Sequence, residues 1–85
     1  MFQKEVTHLK PDDVFGQVLK SIRLKMKLSQ EELAFRSNLD RTYISMLERG
    51  VNQPTLNSLF SLSNALQMKT SKLVELVEKE VEKSE

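Results

Sequence analysis

Few side chains in this 85-residue chain could carry reactive chemistry. The single histidine, His8, stands near the N-terminus and there is no cysteine. No glycine-rich phosphate loop or spaced set of metal ligands occurs, so neither covalent, acid–base nor metal-assisted catalysis has a constellation to work from. The chain is therefore not read as an enzyme, and no metal, cofactor or small-molecule ligand is expected. What remains is a stretch suited to non-covalent recognition, DRTYISMLERG, from Asp40 to Gly50. Wound as a helix, it places Ile44 and Leu47 one turn apart on one face and Thr42, Ser45, Met46 and Arg49 on the other, with Arg41 and Tyr43 toward the flanks. The outer face is then a cation, hydroxyls, a phenol and a thioether, where a merely solvated helix favours Glu, Lys and Gln.

Those residues need a scaffold, and the chain reads as helix after helix. Pro11, Asp12 and Asp13 open the first, with acids favoring the helix dipole, and Phe15, Leu19, Ile22 and Met26 recur at helical spacing. Ser29 with Glu32 three residues on is a capping box for QEELAFRS, in which Leu33 and Ala34 point inward and after which Asn38 can stop the helix in the left-handed region. Asp40 is placed as the cap of the third helix and Gly50 as its end, followed by the irregular loop VNQP. Thr55 opens a fourth helix with Leu56, Leu59, Phe60, Leu62, Ala65 and Leu66, a set broad enough to pack on more than one side. The fifth is expected from Thr70 to Lys83, with a stripe of Leu73, Val74, Leu76, Val77 and Val81.

Composition agrees with a small all-α domain. A charged fraction of 29% and a hydrophobic fraction of 39% describe a soluble globular chain, and two glycines and two prolines mean few obligatory turns. The opening MFQKEVTHLK lacks the apolar run of a secretory signal or membrane span, so a cytoplasmic protein is expected. The net charge of +1 hides an asymmetry, because from Glu75 onward five acids meet two bases, leaving the first 74 residues with eleven bases against seven acids, a net of +4. A basic body fits a polyanionic partner, although +4 is modest.

Two short helices joined by Asn38, Leu39 and Asp40, with Ala34 small at the crossing and Ile44 facing inward, have the spacing of a helix-turn-helix, whose second helix enters the DNA major groove. SQEELAFRSNLDRTYISMLERG, flanked by FGQVLKSIR and PTLNSLFSLSNAL, resembles the Cro and phage-repressor (Xre-like) family of helix-turn-helix regulators over residues 15–74. LSQEELA opens helix two, YIS and LERG close helix three, and P-T-L opens helix four; Asn38 departs from the commoner glycine. The resemblance implies a compact five-helix repressor-type domain over residues 12–74 with its reading helix at 40–49, an N-terminal arm or extra turn at 1–11, and an elongated C-terminal helix at 70–83 for dimerisation. Within the family, SNLDRTYIS and the long last helix look most like the controller proteins of restriction-modification systems. Phage, plasmid or chromosomal Cro-like repressors share much of the string, and antitoxins use the fold to bind protein.

By that resemblance Arg41, Thr42 and Tyr43 meet base edges, with Ser45 and Met46 next along the groove. The chemistry fits: arginine can donate two bonds to guanine, Thr and Tyr can hydrogen-bond or touch a thymine methyl, and Met46 offers apolar contact. The plainer readings are that Tyr43 covers the flank of the core, that Met46 is an incidental apolar residue and that Arg41 meets phosphate only. Gln30, at the first turn of helix two, is expected to contact a phosphate. Arg49, Asn52 and Gln53 are candidates for phosphate or groove-edge contact, or simply a polar turn, and Arg36 reads as solvated surface. Arg23 and Glu48 resemble an architectural ion pair between helices one and three. Val74, Val77 and Val81, with Leu73, form a seam flanked by Glu75, Glu78, Lys79 and Glu82. A two-fold dimer is its simplest use, presenting two reading helices about 34 Å apart to a palindromic double-stranded operator; alternatively the stripe closes the monomer core.

Overall fold

The computed structural model describes residues 10–83. The arm or extra turn considered for Phe2, Val6, His8 and Leu9 lies outside them. Five helices follow in order: α1 (Pro11–Lys25), α2 (Gln30–Ser37), α3 (Arg41–Glu48), α4 (Leu56–Ala65) and α5 (Thr70–Lys83). Pro11 occupies the first turn of α1, where its missing N–H would have no intrahelical partner in any case. The capping box is formed: Glu32 N–H donates to Ser29 Oγ at 3.0 Å and Ser29 N–H donates to Glu32 Oε1 at 2.7 Å. The Ser29 backbone N–H above all, and after it the Ser29 side chain, hold the Glu32 carboxyl below its ordinary range. The stabilisation they give is therefore present above that range and is lost as pH falls through the lowered value.

One cap differs from expectation. Asp40 takes N-cap backbone geometry, φ −81° and ψ 141°, but its side chain makes no capping hydrogen bond. The helix expected at 40–49 accordingly spans Arg41–Glu48, because Asp40 is extended and Arg49 is already the C-cap. Thr55 does cap α4, accepting from Ser58 N–H at 3.0 Å.

The first four helices end alike. Lys27, Asn38, Gly50 and Gln67 sit in the left-handed region with φ of 60°, 58°, 75° and 58°. The next residue then donates its N–H five residues back, Leu28 to Arg23 O at 3.0 Å, Leu39 to Ala34 O at 3.0 Å, Val51 to Met46 O at 2.9 Å and Met68 to Ser63 O at 3.0 Å. This satisfies carbonyls that a helix end leaves without partners and turns an apolar residue back toward the helix each time. Asn38 and Gly50 are the residue types that announce such a turn; Lys27 and Gln67 are not.

The core is built from Val14, Phe15 and Leu19 of α1, Leu33 of α2, Ile44 and Leu47 of α3, Leu62 of α4 and Leu73 of α5. Contacts run from α1 to α3 and α5, from α2 to α3 and α4, and from α4 to α5. The breadth of the α4 apolar set suggested burial on more than one side, yet Leu56 is 68% and Phe60 56% exposed, because α2 and α5 cover only the face carrying Leu62, Ala65 and Leu66. α1 approaches the end of α3 through Gly16, where an added Cβ would lie 2.6 Å from the Glu48 carbonyl oxygen and closer still to that of Leu47. Both obstacles are backbone and cannot swing aside. Gly16→Ala is therefore expected to lower stability by about 1–3 kcal/mol, outweighing a gain in helix propensity of up to about 1 kcal/mol. Urea denaturation checks this, and an unchanged or higher midpoint would refute it.

Candidate nucleic-acid interface

The face of α3 opposite Ile44 and Leu47 is open. Both of those side chains are fully buried, whereas Arg41, Thr42 and Arg49 are exposed and Ser45 and Met46 half-buried. Among the described residues Arg41 has no ion pair or side-chain hydrogen bond, so its guanidinium keeps every donor for an external acceptor. Arg49 lies along the same face, its Nε donating to Ser45 Oγ at 3.3 Å. Asn52 is folded back from the following loop, with Nδ2 3.2 Å from Met46 Sδ, while Gln53 is exposed. Arg41, Thr42, Ser45, Met46, Arg49 and Asn52 thus share one continuous surface.

Tyr43 is set apart from this group. It is half-buried against the core, and its phenol oxygen lies 2.9 Å from Ser58 Oγ on α4. That contact agrees with the plainer reading of Tyr43 as cover for the flank of the core, and the side chain keeps partial exposure beside the α3 surface.

Beneath the surface, Arg23 and Glu48 meet in a bidentate pair, Nε to Oε2 at 2.7 Å and Nη2 to Oε1 at 3.0 Å. Their side chains are 8% and 3% exposed. Arg23 Nη1 also donates to Leu28 O at 2.8 Å, and Gln30 Nε2 donates to Glu48 Oε1 at 3.0 Å. The bond from Arg23 to Glu48 raises the guanidinium pKa above its ordinary value, overcoming the opposing desolvation. Gln30 is thereby anchored at the first turn of α2 beside the end of α3, with its second amide proton left for another acceptor. Arg36 is exposed on the far side of α2, and Phe35 next to it is 88% exposed.

A second surface lies on α4 and α5. Leu73, assigned from the sequence to a dimer seam, is fully buried within the protomer and belongs to its core, since it lies one position off the outward stripe. Val74 is 46% exposed, and Val77 and Val81 are half-buried against the core edge. Val74 and Val77 line a groove of about 360 Å³ with Leu59, Phe15, Pro11 and Pro54, and Val74 also borders Phe60 in the neighbouring groove. An apolar strip therefore crosses from α4 to α5. Phe60 was not assigned to it beforehand, and Leu56 one turn earlier on α4 is exposed as well; the excess width of the α4 apolar set was the signal. Among the described residues no acid, histidine or cysteine cluster could hold a metal ion, and no helix is long and apolar enough to cross a membrane.

Known proteins match this arrangement. A family model described as helix-turn-helix matches residues 19–73. The control protein C.BamHI of Bacillus amyloliquefaciens is 43% identical over 63 residues, covering 73% of this chain and 78% of its own. The crystal structure of the restriction-modification controller protein C.AhdI from Aeromonas hydrophila is 41% identical and superposes with a TM-score of 0.70 over 72% of this chain and 92% of its own. The controller protein C.Esp1396I, solved as a tetramer with its natural 35 base-pair operator, is 37% identical with a TM-score of 0.78 over 86% of this chain and 96% of its own.

Glu48→Ala would leave the Arg23 cation buried without its partner and Gln30 without its anchor. A loss of about 3–5 kcal/mol is expected. An unchanged melting temperature in that variant would show that the pair contributes nothing.

Proposed function

Since this chain belongs to the helix-turn-helix family of DNA-binding transcription regulators, in its restriction-modification controller type, we propose that it binds a palindromic operator as a homodimer and times the expression of neighbouring genes through autoregulation. The family is one of DNA-binding regulators and not of enzymes. The observation that carries the proposal is the α3 surface, where exposed Arg41 and Thr42 and half-buried Ser45 and Met46 stand opposite a fully buried Ile44 and Leu47. Arg41, Thr42, Tyr43, Ser45 and Met46 read base edges from the major groove. Gln30, Arg49, Asn52 and Gln53 set the helix against the phosphate backbone, which fixes register without specifying sequence.

Two copies join through Val74, Val77 and Val81, and the exposed Leu56 and Phe60 extend the same apolar strip. Isologous pairing of that strip would give the two-fold axis that a palindrome requires. The input on this reading is protein concentration in the cytoplasm, through dimerisation and then operator occupancy.

The first test is selection of bound DNA from a random duplex pool by the intact protein, repeated with Arg41→Ala. An inverted repeat is expected, with preference relaxed at matching positions of both half-sites in the variant and a discrimination loss of about 1–3 kcal/mol per lost bidentate contact. A pool without enrichment would overturn the DNA-binding reading, as would affinity insensitive to salt. Val77→Asp is expected to sediment as a monomer; a variant that stays dimeric would place the interface elsewhere.

A further inference from the structure

Tyr43 enters the α3 surface differently from its neighbours, and the difference changes what it can recognise. Its phenol oxygen is 2.9 Å from Ser58 Oγ, and Ser58 Oγ is 2.8 Å from Thr55 Oγ1, which also accepts Ser58 N–H at 3.0 Å. Ser58 is buried at 6% exposure inside the first turn of α4. One proton serves its two hydroxyl contacts, so one is donated and the other accepted. A phenol is a stronger acid than an aliphatic alcohol and hence the better donor, so Tyr43 donates to Ser58 and Ser58 donates onward to Thr55. The proton of Tyr43 is thereby committed to α4, and what this half-buried side chain still offers the α3 surface is its ring and the acceptor side of its oxygen.

We infer that Ser58 is a positioning residue that makes Tyr43 an apolar reader, holding the phenol on α4 so that the ring meets the C5-methyl group of a pyrimidine in the major groove. The inference rests on the DNA-binding reading above and deepens it. Thymine carries this methyl in unmodified DNA and 5-methylcytosine presents the same group at the same ring position, whereas uracil and cytosine lack it. A residue reading through its hydroxyl would seek a hydrogen-bonding base atom and would be indifferent to the methyl. Ser58 itself reaches no base; its effect passes through the orientation of Tyr43.

The test uses the intact protein and the duplex selected from the random pool, with each thymine replaced in turn by deoxyuridine. At one position in each half-site the substitution is expected to weaken binding about fourfold, and about fifteenfold when both half-sites are changed, the factor for one desolvated methyl applied once and twice. Cytosine against 5-methylcytosine at that position, paired with guanine, should show the same methyl dependence. Tyr43→Ala should abolish the discrimination. Ser58→Ala and Tyr43→Phe should each lower it part of the way, with the double variant no worse than either single one, because both break the same contact.

Several results would overturn the inference. Thymines that all tolerate uracil would remove the methyl contact. Full methyl discrimination in Ser58→Ala, with only its melting temperature lowered, would make Ser58 merely structural. Affinity lost in Tyr43→Phe but kept in Ser58→Ala would mean that the phenol reads a base directly. If Ser58→Ala fails to fold, Tyr43→Phe alone decides, since a ring reader loses part of its thymine-over-uracil ratio without its tether and an untethered one loses none. A pool that yields no selected duplex overturns the DNA-binding reading itself; a selected duplex indifferent to the methyl overturns this inference alone.

Discussion

Glu48 ends α3 with a carboxylate whose side chain is only 3% exposed, and a charge so placed must be matched from inside. Arg23 supplies two hydrogen bonds from α1 and Gln30 a third from α2, so three helices converge on one acceptor group. The carboxylate is satisfied only when all three are in register, which ties the pose of α3 to that of α2. Arg23 carries the constraint further, because its Nη1 also holds Leu28 O in the turn just ahead of the capping box. Gly16 is the steric counterpart, letting α1 close onto the last carbonyls of α3.

Such bracing is needed because α2 and α3 have eight residues each. Isolated helices of that length are marginal in water, so their shape comes from packing and from their ends. The left-handed residue after each of the first four helices, the Ser29 box before α2 and the Thr55 cap before α4 fix where the chain turns. Asp40, like Lys10 ahead of α1, makes no side-chain cap, which leaves the start of α3 without one on the side that carries Arg41 and Thr42. The hydroxyl contacts from Tyr43 through Ser58 to Thr55 supply there a tie from α3 to α4 that its own cap does not.

Much of this was legible in the sequence because it is written in local signals. Ser29 with Glu32, Asn38, Gly50 and Thr55 announce helix ends by residue type, and the spacing of Ile44 and Leu47 gives the buried side of α3. What escaped depends on neighbours that periodicity does not name. Lys27 and Gln67 adopt left-handed geometry although neither residue type favours it, since the apolar residues after them, Leu28 and Met68, are packed inside and the backbone must turn to put them there. Leu73 and Val74 are adjacent in one stripe, yet the packing of α5 on α1 and α4 buries the first and opens the second. Gly16 looks like a poor helix residue until the α3 carbonyls are set against it, and the bond from Tyr43 to Ser58 joins residues fifteen apart through no motif.

The α3 surface and the apolar strip lie apart except at Gln53, which borders the groove beside Val74 and Val77, and they belong to one rigid unit. Leu73 fixes α5 into the core that also holds Ile44 and Leu47, so the valines on the outer side of α5 stand at a set distance from Arg41 and Thr42. In the proposed dimer, packing on the strip therefore dictates the separation and angle of the two reading helices, and with them the spacing of half-sites that one dimer can span. On that proposal a lone protomer would engage one half-site, whereas joining two would make the second contact intramolecular and multiply affinity without any new contact to a base. The charges follow the same division. Along α5 the exposed Glu75, Glu78, Glu80 and Glu82 outnumber Lys72, Lys79 and Lys83, which pair with Glu75 and Glu80, so that helix is slightly acidic beside a more basic body. A small chain can in this way orient itself on DNA before any base is read, with α5 directed away from the duplex and α3 toward it.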